Sequence, residues 1–437
     1  MQQESKEYED EMSQHTTLVQ TGLNSWVLQT FRSLRSRNYR IYATSQLISN
    51  CGSWIQLTAI SWLVFEISGS AFLLGLVSFL RQSPLLLFGF AGGWLADHVD
   101  RKKILVWTKV AMLIQAVILF VLTYTDSITI WHMLVLATCL GIVNSIDMPA
   151  KQSFTFTLVD RKDLVNAVSL NTSSFHASRT LGPVLAISVV ALLGARKGEA
   201  TCFLLNALSY LGVIYALIKI QPAKQVESQK KEKKEVGFKK AIDFALQTPS
   251  VKRVLILGAT SSFFCMQYLV MLPVVSKEVL GKAIGGYGFL LAAAALGSFL
   301  AAMILANKGK EGKQLENSVN LAALGFGVGL TLFSLSHTIY LSFPIAVLLG
   351  FCSTSQLSGS NSLIQLMVDD NLRGRVLSLW VIVISGLGPL GGLLVGWSTT
   401  VIGAPLTLTI CGVIAIIVSG TILLITRSKE KVAQKRH

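Results

Sequence analysis

Apolar stretches about as long as a bilayer crossing requires follow one another along the chain from Tyr42, separated by short polar breaks. They cover residues 42–66, 70–95, 103–124, 128–149, 165–193, 200–220, 251–275, 285–306, 317–336, 338–361, 376–397 and 404–426. A hydrocarbon core about 30 Å thick takes about 20 apolar residues of helix per crossing. The pattern therefore predicts an all-α membrane protein with 12 transmembrane helices. Composition points the same way: 52% of residues are hydrophobic and 14% charged, whereas soluble domains carry roughly 25% charged residues. A soluble fold is excluded, because so much apolar surface has to face lipid.

Polar segments divide the chain. Residues 1–41 are polar and lack a short apolar region followed by a small-residue cleavage site, so no cleaved signal peptide is expected. The longest internal break, 221–250, has a Lys/Glu-rich centre and reads as a solvated linker. It separates an N-terminal six-helix bundle (42–220) from a C-terminal one (251–427), with a short tail at 428–437. Basic residues are retained on the cytoplasmic side of membranes. If the N-terminus is inside, the cytoplasmic flanks hold 30 of the chain's 38 Lys and Arg, and the opposite loops hold Arg196, Lys197, Lys277 and Lys282. The expectation is a bacterial inner-membrane protein, multi-pass and monomeric, with both termini and the linker cytoplasmic. The net charge of +15 is then explained by those loops and anionic lipid, with no nucleic-acid partner.

The halves echo each other. Residues 152–170 align without gaps onto 361–379, matching at Ser153/Ser362, Val159/Val368, Asp160/Asp369, Ser169/Ser378 and Leu170/Leu379, an offset of 209 positions. Duplicated bundles with a binding site at their interface are a recurrent transporter plan.

Six cysteines fall singly inside apolar stretches without CxxC pairing or histidines at ligand spacing. They read as packing residues, with no metal site or cofactor expected. No GxxxxGK[ST] phosphate loop or HExxH sequence occurs, so an enzyme is not expected.

The segment after the second stretch, Gly93-Trp-Leu-Ala-Asp97-His-Val-Asp-Arg101-Lys-Lys, resembles the signature loop of the major facilitator superfamily. That signature is a Gly, an Asp four residues later, then Arg/Lys four and five beyond. His98 stands where a basic residue is usual, and Asp100 stands where the family has Gly, which would ease a left-handed turn. The resemblance implies a conformational gate of Gly93, Asp97 and Arg101, joined by Asp147 at the cytoplasmic end of the fourth span. The runs Asp147-Met-Pro-Ala-Lys-Gln, Asn166-Ala-Val-Ser-Leu-Asn and Arg179-Thr-Leu-Gly-Pro183 are similar to the branch containing the enterobactin exporter and macrolide efflux proteins. Gly182-Pro183 and Gly388-Pro389 resemble the family's antiporter motif and are expected helix pivots, since proline kinks a helix and glycine allows close approach.

Inside the spans, Ser169, Thr172, His176 and Arg179 recur at helical spacing. An arginine in lipid costs at least a few kcal/mol, so Arg179 and Arg81 must face a cavity or a partner. Gln46, Asn50, Gln267, Tyr268, Gln356 and Asn361 are further candidates for the substrate or proton pathway, with His176 the titratable group nearest cellular pH. No Asp or Glu falls near the middle of any span, and a cavity with Arg81, His176 and Arg179 but no central acid favours anionic or electron-rich cargo over lipophilic cations. The expected function is export of a small siderophore-like or drug-like molecule in exchange for protons. A lysophospholipid flippase of the same fold and a non-transporting membrane sensor are the alternatives.

Overall fold

The computed structural model describes residues 31–220, 238–307 and 312–434. Helices α1 (Arg37–Ser68), α2 (Ala71–His98), α3 (Arg101–Tyr124), α4 (Ile130–Thr155), α5 (Leu164–Leu193) and α6 (Ala195–Lys219) form the first half of the chain. A short α7 (Phe238–Gln247) precedes α8 (Pro249–Val279), then α9 (Ile284–Asn307), α10 (Gly312–Ser334), α11 (Ile339–Met367), α12 (Asp370–Ile402) and α13 (Ala404–Gln434). Odd-numbered α1, α3 and α5 and even-numbered α8, α10 and α12 start at one face of the molecule, here the first face, and end at the second.

Eleven of these helices are long and apolar enough to cross a membrane. The remaining expected span, α1, has the length at 32 residues, but Gln46, Asn50, Gln56 and Glu66 make it too polar to qualify by composition. Several helices outrun their apolar stretches at the first face: α4 continues to Thr155 and α11 to Met367. A helix end in water costs no lipid exposure, so hydropathy under-reads it.

Local chemistry sets the turns. Ser36 caps α1 by accepting from the Tyr39 amide, and Gly69 (φ +60°) ends it in the left-handed conformation that glycine tolerates. Asp100 has φ −55° and caps α3, its carboxylate accepting from the Lys102 amide at 2.8 Å. The turn expected to want glycine is thus an N-cap, for which Asp is well suited.

The repeat seen in sequence reappears in the backbone. Gly194 between α5 and α6, and Gly403 between α12 and α13, both have φ +81°, and they stand 209 positions apart. Gly141 and Gly350 share the same offset and the same duty. A Cβ at Gly141 would lie 2.7 Å from the Arg81 carbonyl oxygen of α2, and one at Gly350 would run into the Ala294 carbonyl of α9. Small residues here let α4 touch α2, and α11 touch α9, backbone to backbone.

Named contacts between the halves gather toward the second face. There α2 packs on α12, with Gly75 against the Gly392 carbonyl and Gly396 against the Ala71 carbonyl. The Phe72 amide donates to Thr400 Oγ1 at 3.2 Å, Trp62 stacks on Tyr287 at 6.2 Å, and Lys277 lies 5.5 Å over the Phe65 ring. Helix α8 is broken by two π-helical stretches, Ser261–Cys265 and Val275–Val279, each of which shifts the side-chain register along it.

Candidate functional site

The inner wall of the first half carries its polar groups in two tiers. In the tier nearer the first face, Asp147 of α4 is almost fully buried and accepts from Lys109 Nζ at 2.8 Å and Thr108 Oγ1 at 2.7 Å, both on α3. Each carboxylate oxygen therefore has a donor, which a buried ion needs. One turn further along α4, half-buried Lys151 reaches α1 and donates to Asn50 Oδ1 at 3.3 Å.

The second tier holds Arg179 of α5, whose guanidinium sits 5.7 Å over the ring of Trp54 on α1, a cation–π contact. Phe175 closes on Trp54 edge-on at 5.8 Å, and exposed His176 lies beside Phe175 and is an electrostatic neighbour of Arg179. Arg81 of α2 is an electrostatic neighbour of Tyr210 and Tyr287, and Tyr268 of α8 is an electrostatic neighbour of Arg179. Among the described residues no carboxylate pairs with Arg81 or Arg179. Both arginine residues are partly exposed.

Other expected pathway residues are placed differently. Gln356 is fully buried, accepting from Ser261 Oγ at 2.7 Å and donating to the Leu257 carbonyl at 3.0 Å. Gln267 donates to the Ser262 and Gly388 carbonyls at 2.6 and 2.9 Å, tying the π-helical stretch of α8 to α12. Tyr268 is buried edge-on against Phe326 and Phe333. These three join helices to one another instead of lining an opening. Gln46 is also buried, its Nε2 without a hydrogen-bond partner. Asn50 and Asn361 are half-open, Asn361 accepting from Gln365 Nε2 at 2.6 Å.

Of the expected gate, Gly93 and Arg101 flank the α2–α3 turn, and the Asp97 side chain lies outside the described ones. Asp147 belongs to the buried Lys109 pair within the first half. At the expected pivots, Gly182 brings α5 onto the Trp54–Ile55 backbone of α1, and the Gly388-Pro389 turn of α12 sits against Ser262.

Sequence reasoning missed Lys109, Thr108, Trp54 and the fully enclosed chain in which Asn206 donates to Gln56 and Gln56 to Gln115, at 2.7 and 3.0 Å. Lys109 was discoverable as a lone cation inside an apolar span, the same signal that marked Arg81 and Arg179. Lys151 falls outside the fourth apolar stretch, 128–149, because α4 continues past it to Thr155.

Residues 28–436 match the family described as transmembrane secretion effector. The Staphyloferrin A transporter of Staphylococcus aureus (strain NCTC 8325 / PS 47) is 26% identical over 400 residues, spanning 91% of this chain and 99% of that protein. Multidrug efflux pump Tap of Mycolicibacterium fortuitum is 23% identical over 80% of this chain and 86% of its own. Among solved structures, a bacterial homologue of the human lysosomal transporter Spinster, inward-facing and unoccupied, superposes with a TM-score of 0.70 at 14% identity, covering 91% of this chain and 98% of that one. A match over nearly the whole length, on a helical fold of major facilitator type, makes this chain a multi-pass membrane protein of the transmembrane secretion effector family within the major facilitator superfamily.

Proposed function

We propose that the chain is a proton-driven exporter of a small acidic organic molecule, siderophore-like or drug-like, working as a monomer by alternating access. The observation that carries this reading is the pair of partly open arginines, Arg81 and Arg179, set among tyrosines and tryptophan with no carboxylate paired to them among the described residues. Such a wall attracts anions and repels cations. The Staphyloferrin A transporter and the Tap pump supply the precedent for a siderophore and for drugs.

In this proposal α1 also crosses the bilayer, its polar face turned to the cavity, and brings the crossings to twelve. Residues 42–220 and 251–427 are the two moving bundles, joined by the linker 221–250, in a bacterial cytoplasmic membrane. The basic first face is cytoplasmic, so the contacts of α2 with α12 and of Trp62 with Tyr287 close the outer side. The state described is then the one that loads cargo from inside. Gly93, Asp97 and Arg101 form the cytoplasmic gate that closes in the other state, Gly182-Pro183 and Gly388-Pro389 let α5 and α12 pivot, and His176 is the candidate proton carrier.

Export is tested by comparing metabolites in culture supernatants of a deletion strain complemented with wild-type protein or with Arg179→Gln. Loss of a hydrogen bond to a charged group costs about 1.5–3 kcal/mol, so export of the missing compound should fall roughly 10- to 100-fold. A normal rate from Arg179→Gln would remove Arg179 as a cargo ligand. An ionophore should stop export; survival of export in its presence would exclude proton drive and favour the flippase alternative. Asp97→Asn should slow turnover while leaving cargo affinity within about two- to threefold, because it acts on the gate and makes no cargo contact. A large affinity loss at intact turnover would remove Asp97 from the gate.

A further inference from the structure

Lys109, Asp147 and Lys151 together carry one positive charge too many. Asp147 accepts from Lys109 and Thr108, and no ion pair joins it to Lys151 among the described residues. Lys151 is left with a single hydrogen bond among the described residues, to the neutral Asn50 amide at the long distance of 3.3 Å. An ammonium has three donors and no acceptor, and a half-buried one so poorly bonded is costly unless an anion or water meets it.

The position of Lys151 adds to its charge. Its contact on α1 is Asn50, and the contact of Arg179 on the same helix is Trp54. Four residues of helix separate these points, about 6 Å of rise on one face. The two cations are thus stacked along one wall of α1, with Lys151 on the side nearer the first face. Across from them, the polar residues of α8 and α11 that were candidates for the cavity, Gln267, Tyr268 and Gln356, are neutral and buried.

Given the anion-binding role proposed for Arg179, we infer that Lys151 is a further anion-binding group on the same α1 wall and that the site takes a cargo with at least two acidic groups. One acid meets Arg179 over Trp54; the other meets Lys151 beside Asn50. A monoacid satisfies only one cation, so discrimination between mono- and diacids resides in Lys151. The α1 wall engages both acids before the opposite half closes over them.

The test uses purified full-length protein and two probe series of equal chain length, α,ω-dicarboxylates from succinate to suberate and the matching monocarboxylates, with binding read as ligand-induced thermal stabilisation. Wild-type protein should bind one or more dicarboxylates at least about tenfold more tightly than the matching monocarboxylate, as one extra charge-assisted hydrogen bond allows. Lys151→Gln should abolish that preference and leave monocarboxylate affinity within about twofold; Lys151→Arg, which keeps the charge, should retain most of it. Arg179→Gln should weaken both series. If Lys151→Gln keeps the dicarboxylate preference while Arg179→Gln weakens both series, the second site is overturned and the proposed function stands. Wild-type protein without any dicarboxylate preference also overturns the second site. If Arg179→Gln changes neither series, the anion-binding reading of Arg179 fails as well. A Lys151→Gln protein that does not fold is replaced by Lys151→Met, judged by the same preference.

Discussion

Truncating Asp147 to Ala should remove about 3–5 kcal/mol of stability, because it leaves the Lys109 ammonium buried without its counter-ion. Lys109 and Asp147 have side-chain exposures of 5% and 6%, so water cannot take over the lost contact. The expected result is a clear fall in thermal unfolding temperature and in the yield of folded protein. Replacing both partners with apolar residues of similar volume, Lys109→Met with Asp147→Leu, should recover most of the loss, since neither charge then remains to be buried. With the single variants Lys109→Met and Asp147→Leu added, the unfolding temperatures of wild type, the two singles and the double form a double-mutant cycle. Additive losses would show that the pair is not coupled in the folded protein and would remove it as the fastener of α3 to α4.

The second large effect is expected at the seam between α2 and α12. A side chain at Gly75 would occupy the space of the Gly392 carbonyl, and one at Gly396 would meet the Ala71 carbonyl and the Phe72 backbone. Backbone cannot rotate aside as a side chain can. Gly75→Leu should therefore penalise the arrangement in which the halves touch here by about 1–3 kcal/mol, a shift on the order of 10- to 100-fold toward the separated state. Transport should fall in proportion to the lost state. A cysteine at Ala71, which is 5% exposed in the closed arrangement, should label faster in this variant, in a background without the native cysteines. Gly212 has open space around it, so Gly212→Leu is the matched control and should transport normally. An unchanged labelling rate in Gly75→Leu would mean that the seam does not form the closure.

How far the sequence could be read depended on whether a property is local. The spans were legible because hydropathy is summed along a helix, and the 209-residue offset was legible because duplication leaves its trace in order; Gly194 and Gly403 later show it in φ. Arg81 and Arg179 stood out because a cation in lipid demands an explanation. Partnership was not legible. Gln356 and Gln267 have the composition of cavity residues, yet their amides hold helices together. A helical wheel drawn along α8 could not anticipate the π-helical stretch Ser261–Cys265, after which the facing residues change. Lys151 is hidden because a helix end continuing past its apolar stretch looks like loop, and Asp147 looks like a boundary acid because Lys109, 38 positions away, gives no hint in sequence of being its neighbour.

The one-sided distribution of charge has an electrical consequence. With cations on the α1–α5 wall and no acid paired to them among the described residues, the proposed cargo carries its own negative charge through the membrane while the protein's charges stay nearly in place. Bacterial cytoplasm is electrically negative, and each unit of negative charge moved outward releases about 2.3 kcal/mol per 100 mV. For a diacid the voltage alone then favours departure, and the return of the empty carrier becomes the stroke on which an incoming proton can act.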